Sequence, residues 1–337
     1  NMYTLAPVPG SISNAGGEPI FIEINENLVL DLEDLSKKAV SSKARFLLIS
    51  HMRGHLVDMD KLMQIVKENN LILIEDCAHT MGAKWNDERS GNFGLAGCFS
   101  TQTYKHLNSG EGGLLTSDDP EFMARAIILS GSYMLYERHG AAPNKEVFAD
   151  IRLETPNYSG RMDNLRAAIL RPQLKSLDKN IKRWNERYQL VEKKLKEVEG
   201  IKLPTRAAEE SYVGSSIQFR IPGISPSDAA KFLEIFISEH KGSSLITPVA
   251  IPSMLVCIAP LVATIQISEL LTTTLGALAV GGVELVTTVD DTVLVSAARA
   301  EFITLLKKNI KMVANATPII NGVFIYHKYT FHLRNKD

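Results

Sequence analysis

Apolar positions along the 337 residues fall into short unbroken runs that alternate with stretches spaced at helical intervals. Residues 45–50, RFLLIS, contain neither Gly nor Pro and predict a strand. Residues 58–70 then carry Met59, Leu62, Met63, Ile65 and Val66 at the spacing of an amphipathic helix. Residues 71–74 are a second apolar run, closed by Glu75 and Asp76. Strand, helix and strand at this separation predict a right-handed parallel crossover. Ligands of such sheets bind beyond the carboxyl ends of the strands, and Asp76 stands at one of those ends. Residues 96–100 and the run GLLTS at 113–117 predict further strands, followed by a helix over 120–129.

A loop rich in Pro, Asn and Gly is expected at 140–160. Beyond it, Leu177, Ile181, Trp184, Tyr188, Val191, Leu195 and Val198 recur at alternating steps of four and three, which predicts a long core-facing helix stopped by Gly200. Residues 215–221 alternate like a strand, and a helix should follow to Ser238 with Ser225 as N-cap and Pro226 in its first turn. The expected fold class is α/β, a large domain with a mainly parallel sheet plus a smaller α+β C-terminal domain. The boundaries are a large domain over 1–160, a long interdomain helix over 161–200 and the small domain over 201–337, atypical after 241. No charged residue occurs over 242–268, but Pro248, Pro252 and Pro260 and several polar residues break the apolar continuity that a membrane span requires.

Composition adds exclusions more than assignments. A formal net charge of -1 offers no general attraction for nucleic acid or anionic lipid. Cys77, Cys98 and Cys257 are too few for a disulfide framework and show no CxxC spacing, which suits a reducing compartment. The first ten residues lack a basic segment followed by an apolar core, so no signal peptide is expected and the cytoplasm is the expected location.

Candidate chemistry concentrates in LILIEDCAHT at 71–80 and GCFSTQTYKHLNSGEGG at 97–113. Together they supply an acid at a strand end, a serine, a lysine and a glycine-rich turn, which are the groups a pyridoxal phosphate enzyme needs. The lysine forms the Schiff base and later moves a proton. A carboxylate keeps the ring nitrogen protonated, and hydroxyls with backbone amides satisfy the phosphate.

These two segments resemble the DegT/DnrJ/StrS family of pyridoxal-phosphate-dependent sugar aminotransferases, which have the aspartate aminotransferase-like fold. In that family an acidic residue ends a strand, and a serine stands five residues before a lysine and a Gly-Glu-Gly-Gly turn. Asp76, Ser100, Lys105 and residues 110–113 match those positions. The resemblance implies pyridoxal 5'-phosphate as cofactor, Lys105 as its covalent attachment, Asp76 on the pyridine nitrogen, His79 against the ring and Ser100 on the phosphate. The stretch NYSGRMDNLRAAILRPQL at 157–174 resembles a family region whose Asn reaches the phosphate of the neighbouring subunit, so the resemblance implies that role for Asn157 and a homodimer. HMRGHLVDMD at 51–60 resembles the family's His-x-x-Gly-x-x-x-Asp stretch. Two departures accompany the match, which runs over roughly 15–240. The chain is expected to begin after the family's N-terminal Gly-Thr loop, and the region after Lys241 does not follow the aromatic and basic pattern of relatives.

Taken singly, several of these residues have plainer readings. Lys105 alone would be a solvated charge and Asp76 a helix N-cap; their joint order favours the cofactor. His79 could be a packing residue. His51 and His55 share a helical spacing, but Gly54 between them and the absence of an HExxH glutamate argue against zinc. Cys77 and Cys98 read as small buried hydrophobes, Trp184 and Tyr188 as core, and Arg161 as either a carboxylate ligand or a salt-bridge partner. The function implied is transamination from an amino-acid donor, glutamate or glutamine, to a keto group of a sugar or cyclitol. A sugar dehydratase of the same fold carries histidine in place of the lysine, and a non-catalytic regulatory protein is the alternative from another class.

Overall fold

The computed structural model describes residues 1–131, 135–239, 246–249 and 261–266. The chain runs through α1 (Pro7–Asn14), α2 (Leu32–Ser42), β1 (Phe46–Ser50), α3 (Met59–Glu68), β2 (Ile72–Asp76), β3 (Lys84–Trp85), β4 (Glu88–Arg89), β5 (Ala96–Ser100) and β6 (Gly113–Thr116). It continues through α4 (Pro120–Ser130), α5 (Phe148–Glu154), α6 (Asn164–Lys175), α7 (Leu177–Leu195), β7 (Glu210–Ser211), β8 (Ser216–Ile221), α8 (Pro226–Glu239), β9 (Ile246–Val249) and β10 (Leu261–Gln266).

The central sheet has the order β1-β2-β5-β6. Its first two pairings are parallel and the third, β5 with β6, is antiparallel. The sheet is therefore mainly parallel, as the crossover pattern predicts, with an antiparallel edge. Because side chains alternate along a strand, the sheet has two unlike faces. Leu47, Ile49 and Leu73 lie in the main core with Leu62 and Met59 of α3. Removing one such buried leucine side chain costs about 2–5 kcal/mol. The opposite face carries Ser50, Asp76, Cys98 and Ser100 near the carboxyl ends of β1, β2 and β5.

α3 starts where Asp58 accepts the amide of Lys61, and its buried Met59, Leu62 and Val66 are the residues that the helical spacing singles out. Ser225 caps α8 by accepting the amide of Asp228 at 3.1 Å, as expected. Beyond Gly200, β8, β10 and β9 form an antiparallel sheet. Ile217, Phe219 and Ile221 pack there against Tyr188 and Leu195 of α7.

Three expectations need correction. The stretch 161–200 holds two helices, α6 and α7, which meet at Ser176 with φ -99° and ψ 0°. Pro172, which has no amide to donate, lies in the last turn of α6, where the hydrogen-bond ladder ends. The loop expected over 140–160 contains α5, whose Phe148 and Ile151 bury themselves against Ala124, Ile127 and Ile128 of α4. Cys98 is exposed rather than buried, because the alternation of β5 turns it to the face away from the main core. The charge-free stretch 242–268 lies largely outside the described residues, and no helix among those described is long and apolar enough to cross a membrane.

Candidate active site

Parallel pairing brings the carboxyl ends of β1, β2 and β5 to one edge. Ser50 pairs with Asp76, and Asp76 pairs with Cys98, so three strands present successive residues side by side. Asp76 Oδ1 accepts the amide of Ala78 at 3.1 Å, and Asp76 Oδ2 accepts the hydroxyl of Ser50 at 2.8 Å. A tight turn follows, with Thr80 N donating to the Cys77 carbonyl and Cys77 N to the Cys98 carbonyl. That turn carries His79.

Lys105 lies in the loop between β5 and β6, five positions after Ser100. Its Nζ stands 3.0 Å from His79 Nε2. The lysine is lowered to about 8, chiefly by burial, with the Asp76 charge opposing the drop and the Arg53 charge adding to it. Burial, followed by the charges of Lys105, Arg53 and His106, holds His79 well below its ordinary value. The imidazole is thus neutral, and a lysine ammonium has only donors, so Nε2 accepts from Nζ. Ser100 Oγ accepts the amide of Gln102 at 3.3 Å. Lys105, His79, Asp76 and Ser100 are accordingly gathered at one sheet edge.

The glycine turn is built for close approach. Gly110 has φ +83° and Gly112 φ +127°, conformations that side chains disfavour, and a Cβ on Gly112 would meet Thr101 Oγ1 at 2.9 Å. Gln173 of α6 clamps the loop by exchanging hydrogen bonds with Asn108, at 2.9 and 2.7 Å. Met162, five residues past Asn157, approaches the same turn, 3.3 Å from where that Cβ would lie. Asn157 itself is on an exposed loop, where its Oδ1 accepts the amide of Ser159 at 2.9 Å. The structure does not bring it to Lys105 within the single chain. Arg161 donates to the Gly131 carbonyl at 2.7 Å, a backbone contact that neither of its two expected roles included.

Further side chains complete the site. Arg53 adopts φ +58°, ψ +20°, unusual for a residue with a side chain, and its charge reaches both Lys105 and His79. The neighbouring Gly54 carbonyl accepts from Arg206, which also pairs with Glu210 at 2.6 Å. His106 stacks at 5.2 Å against Trp184 and bonds Ser215 through Nε2 at 2.8 Å. Burial lowers it to about 4, helped by the Lys105 charge. Trp184 and Tyr188 are core residues as expected, and Tyr188 also lies 5.0 Å from the Tyr212 ring.

The two histidines of the 51–60 stretch face different partners. His55 Nε2 contacts Gln218 Oε1 at 2.6 Å, and burial holds it at about 3. His51 Nε2 contacts Glu75 Oε2 at 3.1 Å. Cys77 joins His51 and Glu75 in a buried group whose candidate ligand atoms lie within 4.8 Å of one another. The Glu75 oxygens, however, already accept the amides of Gly91, Phe93 and Gly94. Burial would raise this carboxyl, yet the His51 contact and those amides hold it below its ordinary value. A carboxylate so engaged pins the 91–94 loop beneath β2 and has little capacity left for an ion.

The family model for the DegT/DnrJ/EryC1/StrS aminotransferase family matches residues 3–244. The chain belongs to this family. GDP-perosamine synthase of Escherichia coli O157:H7 is 30% identical over 177 residues, covering 52% of this chain and 45% of that protein. A pleiotropic regulatory protein of Geobacillus stearothermophilus is 30% identical over 188 residues, covering 55% of this chain and 45% of that protein. The chain thus spans less than half the length of these relatives. The crystal structure of 3-amino-5-hydroxybenzoic acid synthase superposes with a TM-score of 0.69 at 18% identity, over 92% of this chain and 79% of that one, which shows the shared fold. The family is one of pyridoxal-phosphate enzymes, and the donor set here fits that cofactor. A half-buried amine lowered to about 8 lies on the same edge as a carboxylate, an imidazole and a hydroxyl, beside a turn in which Gly112 and Gly113 leave no room for side chains.

Proposed function

We propose that the chain is a pyridoxal-phosphate-dependent aminotransferase that moves an amino group from an amino-acid donor to a keto group of a sugar or cyclitol. The observation that carries this reading is the Lys105 amine, lowered to about 8 and 3.0 Å from a neutral His79, at the strand edge that also presents Asp76 and Ser100. When bound, the cofactor supplies an electron sink for charge that develops at the substrate carbon.

The chain supplies the rest. A lysine with this depressed pKa is about half neutral near pH 8, so a large share presents a lone pair for attachment and later for carrying a proton between carbons. Burial and Arg53 keep it so. Asp76 would hold the ring nitrogen with a carboxylate whose two oxygens are each fixed by one donor. His79 would cover the ring, and its contact with Nζ holds the lysine amine in place. Ser100 donates its hydroxyl to the phosphate. The name of GDP-perosamine synthase, a family relative, supports a sugar acceptor.

Asn157 completes the site of a second copy in a homodimer. Its stretch carries Tyr158 and Leu165 at 73% exposure, with Leu174 at 58%. Exposed apolar side chains at this density along one stretch favour burial against a partner. Sedimentation at micromolar concentration should give twice the chain mass, and a monomer with bound cofactor would remove Asn157 from the site. The cytoplasm suits a chain whose described cysteines, Cys77 and Cys98, are both free thiols; fractionation with a membrane or secreted pool would contradict this location.

The chemistry is tested by a half-reaction. Glutamate or glutamine added to the cofactor-loaded protein should convert the cofactor to its amine form and release one equivalent of keto acid. Saturable cofactor binding without that release would favour a regulatory protein, the role named for the Geobacillus relative.

A further inference from the structure

We propose that Ser50 is the positioning residue that sets the plane of the Asp76 carboxylate against the cofactor's ring nitrogen. This rests on the assignment of Asp76 to that nitrogen under the function proposed above. Ser50 is the last residue of β1, 5% exposed, and lies in direct register with Asp76 on β2. Its hydroxyl donates to Asp76 Oδ2 at 2.8 Å, a short bond to a charged acceptor.

The serine is itself held in place. β1 is an edge strand, so its outer backbone groups lack a neighbouring strand among the described residues. The Asn1 side chain takes up both groups of Ser50, with Oδ1 accepting its amide at 3.1 Å and Nδ2 donating to its carbonyl at 3.2 Å. The hydroxyl is therefore a fixed donor on a fixed strand.

The carboxylate is then gripped from two directions, Oδ2 by the neighbouring strand and Oδ1 by the Ala78 amide of its own turn. Rotation about the Cβ–Cγ bond would break one bond or the other. Each oxygen keeps lone-pair capacity for a further donor, and a protonated pyridine nitrogen is such a donor. A plainer role would be to staple β1 to β2. Those strands are already joined along five registered pairs, so the staple adds little, whereas the orientation of Asp76 has no other cross-strand support in the described contacts.

The test compares wild type, Ser50→Ala and Ser50→Thr in the full chain. Three quantities are read: the pyridoxal phosphate dissociation constant by fluorescence titration, the ring-nitrogen resonance of 15N-labelled cofactor, and the urea midpoint of the cofactor-free protein. Loss of one hydrogen bond to a charged group should weaken cofactor binding about tenfold in Ser50→Ala. Its ring-nitrogen resonance should move toward the unprotonated position, with the urea midpoint nearly unchanged. Ser50→Thr keeps the hydroxyl and should restore both cofactor readouts; if threonine does not fit, Ser50→Cys, a near-isostere with a weak donor, should fall between wild type and alanine. Wild-type affinity and an unmoved resonance in Ser50→Ala would overturn the proposal while leaving the cofactor assignment intact. A fall in the urea midpoint of Ser50→Ala with an unmoved resonance would reduce Ser50 to a staple and overturn it equally. Failure of wild type itself to bind the cofactor would overturn the function on which it rests.

Discussion

Acidification forces protons onto histidines that the fold holds neutral. His55, at about 3, lies against Gln218 of β8 with the Arg206 charge nearby. His106, at about 4, faces Ser215, Trp184 and Lys105. Both fall below the ordinary histidine value of 6.5, so between pH 6.5 and 4 the unfolded chain binds more protons than the folded one. Stability therefore rises with pH across that window and is lost as the pH falls through it. The slope is about 1.4 kcal/mol per pH unit for each group well inside the window. Taking pH 7 to 4.5, His55 alone accounts for roughly 3 kcal/mol, and His106, whose value lies nearer the lower end of that range, for somewhat less. Against a total stability of about 5–15 kcal/mol that is a large share. Glu210 works the other way, since burial raises its carboxyl despite the Arg206 charge, so the informative quantity is a difference between proteins. His55→Gln keeps an N–H for Gln218 and cannot titrate. Urea denaturation of cofactor-free protein at pH 7, 5.5 and 4.5 should show a pH dependence shallower in the variant by roughly 3 kcal/mol over the range. Parallel pH profiles for the two proteins would refute the reasoning.

Two further substitutions test the parts that shape the site. Gly112→Ala would place a methyl 2.9 Å from Thr101 Oγ1 at φ +127°, and should lower the urea-derived stability by at least about 1 kcal/mol. Arg206→Met strips Glu210 of its partner at a site where both side chains are nearly inaccessible, 9% and 2% exposed. It should cost about 3–5 kcal/mol in a denaturation measurement, and the double variant Arg206→Met/Glu210→Met should recover much of that loss. A double variant no more stable than the single would show that the pair does more than compensate its own burial.

The elements that build the site edge were legible because their signals are local. The apolar runs at β1 and β2, the apolar stripe of α3 and the Ser225 cap of α8 each lie within a single element. α2 carries an equally local signal in Asp31, which accepts the amides of Glu33 and Asp34. α5 was hidden by its Pro- and Asn-rich flanks, because burial against α4 decides its conformation more than local propensity does. Pro172, visible in the sequence, removes one rung of the α6 ladder four residues before the break at Ser176, and the apolar stripe of α7 begins only at Leu177.

For the site, order along the chain indicated Asp76, His79, Ser100 and Lys105, since these positions follow a family spacing. Ser50 and Arg53 were not legible. The Ser50 contact depends on the register between strands 26 residues apart, and the reach of Arg53 depends on a left-handed backbone turn. Neither leaves a periodic or compositional trace. The role proposed for Asn157 requires a second copy, and no contact within one chain bears on it.

The central claim is that Lys105 carries pyridoxal phosphate, and borohydride reduction followed by peptide mass analysis tests it most directly. Protein incubated with the cofactor and then reduced should yield one peptide with the added phosphopyridoxyl mass, located on Lys105, and Lys105→Ala treated identically should yield none at that segment. Labelling on another lysine, or unchanged labelling of the alanine variant, would contradict the account.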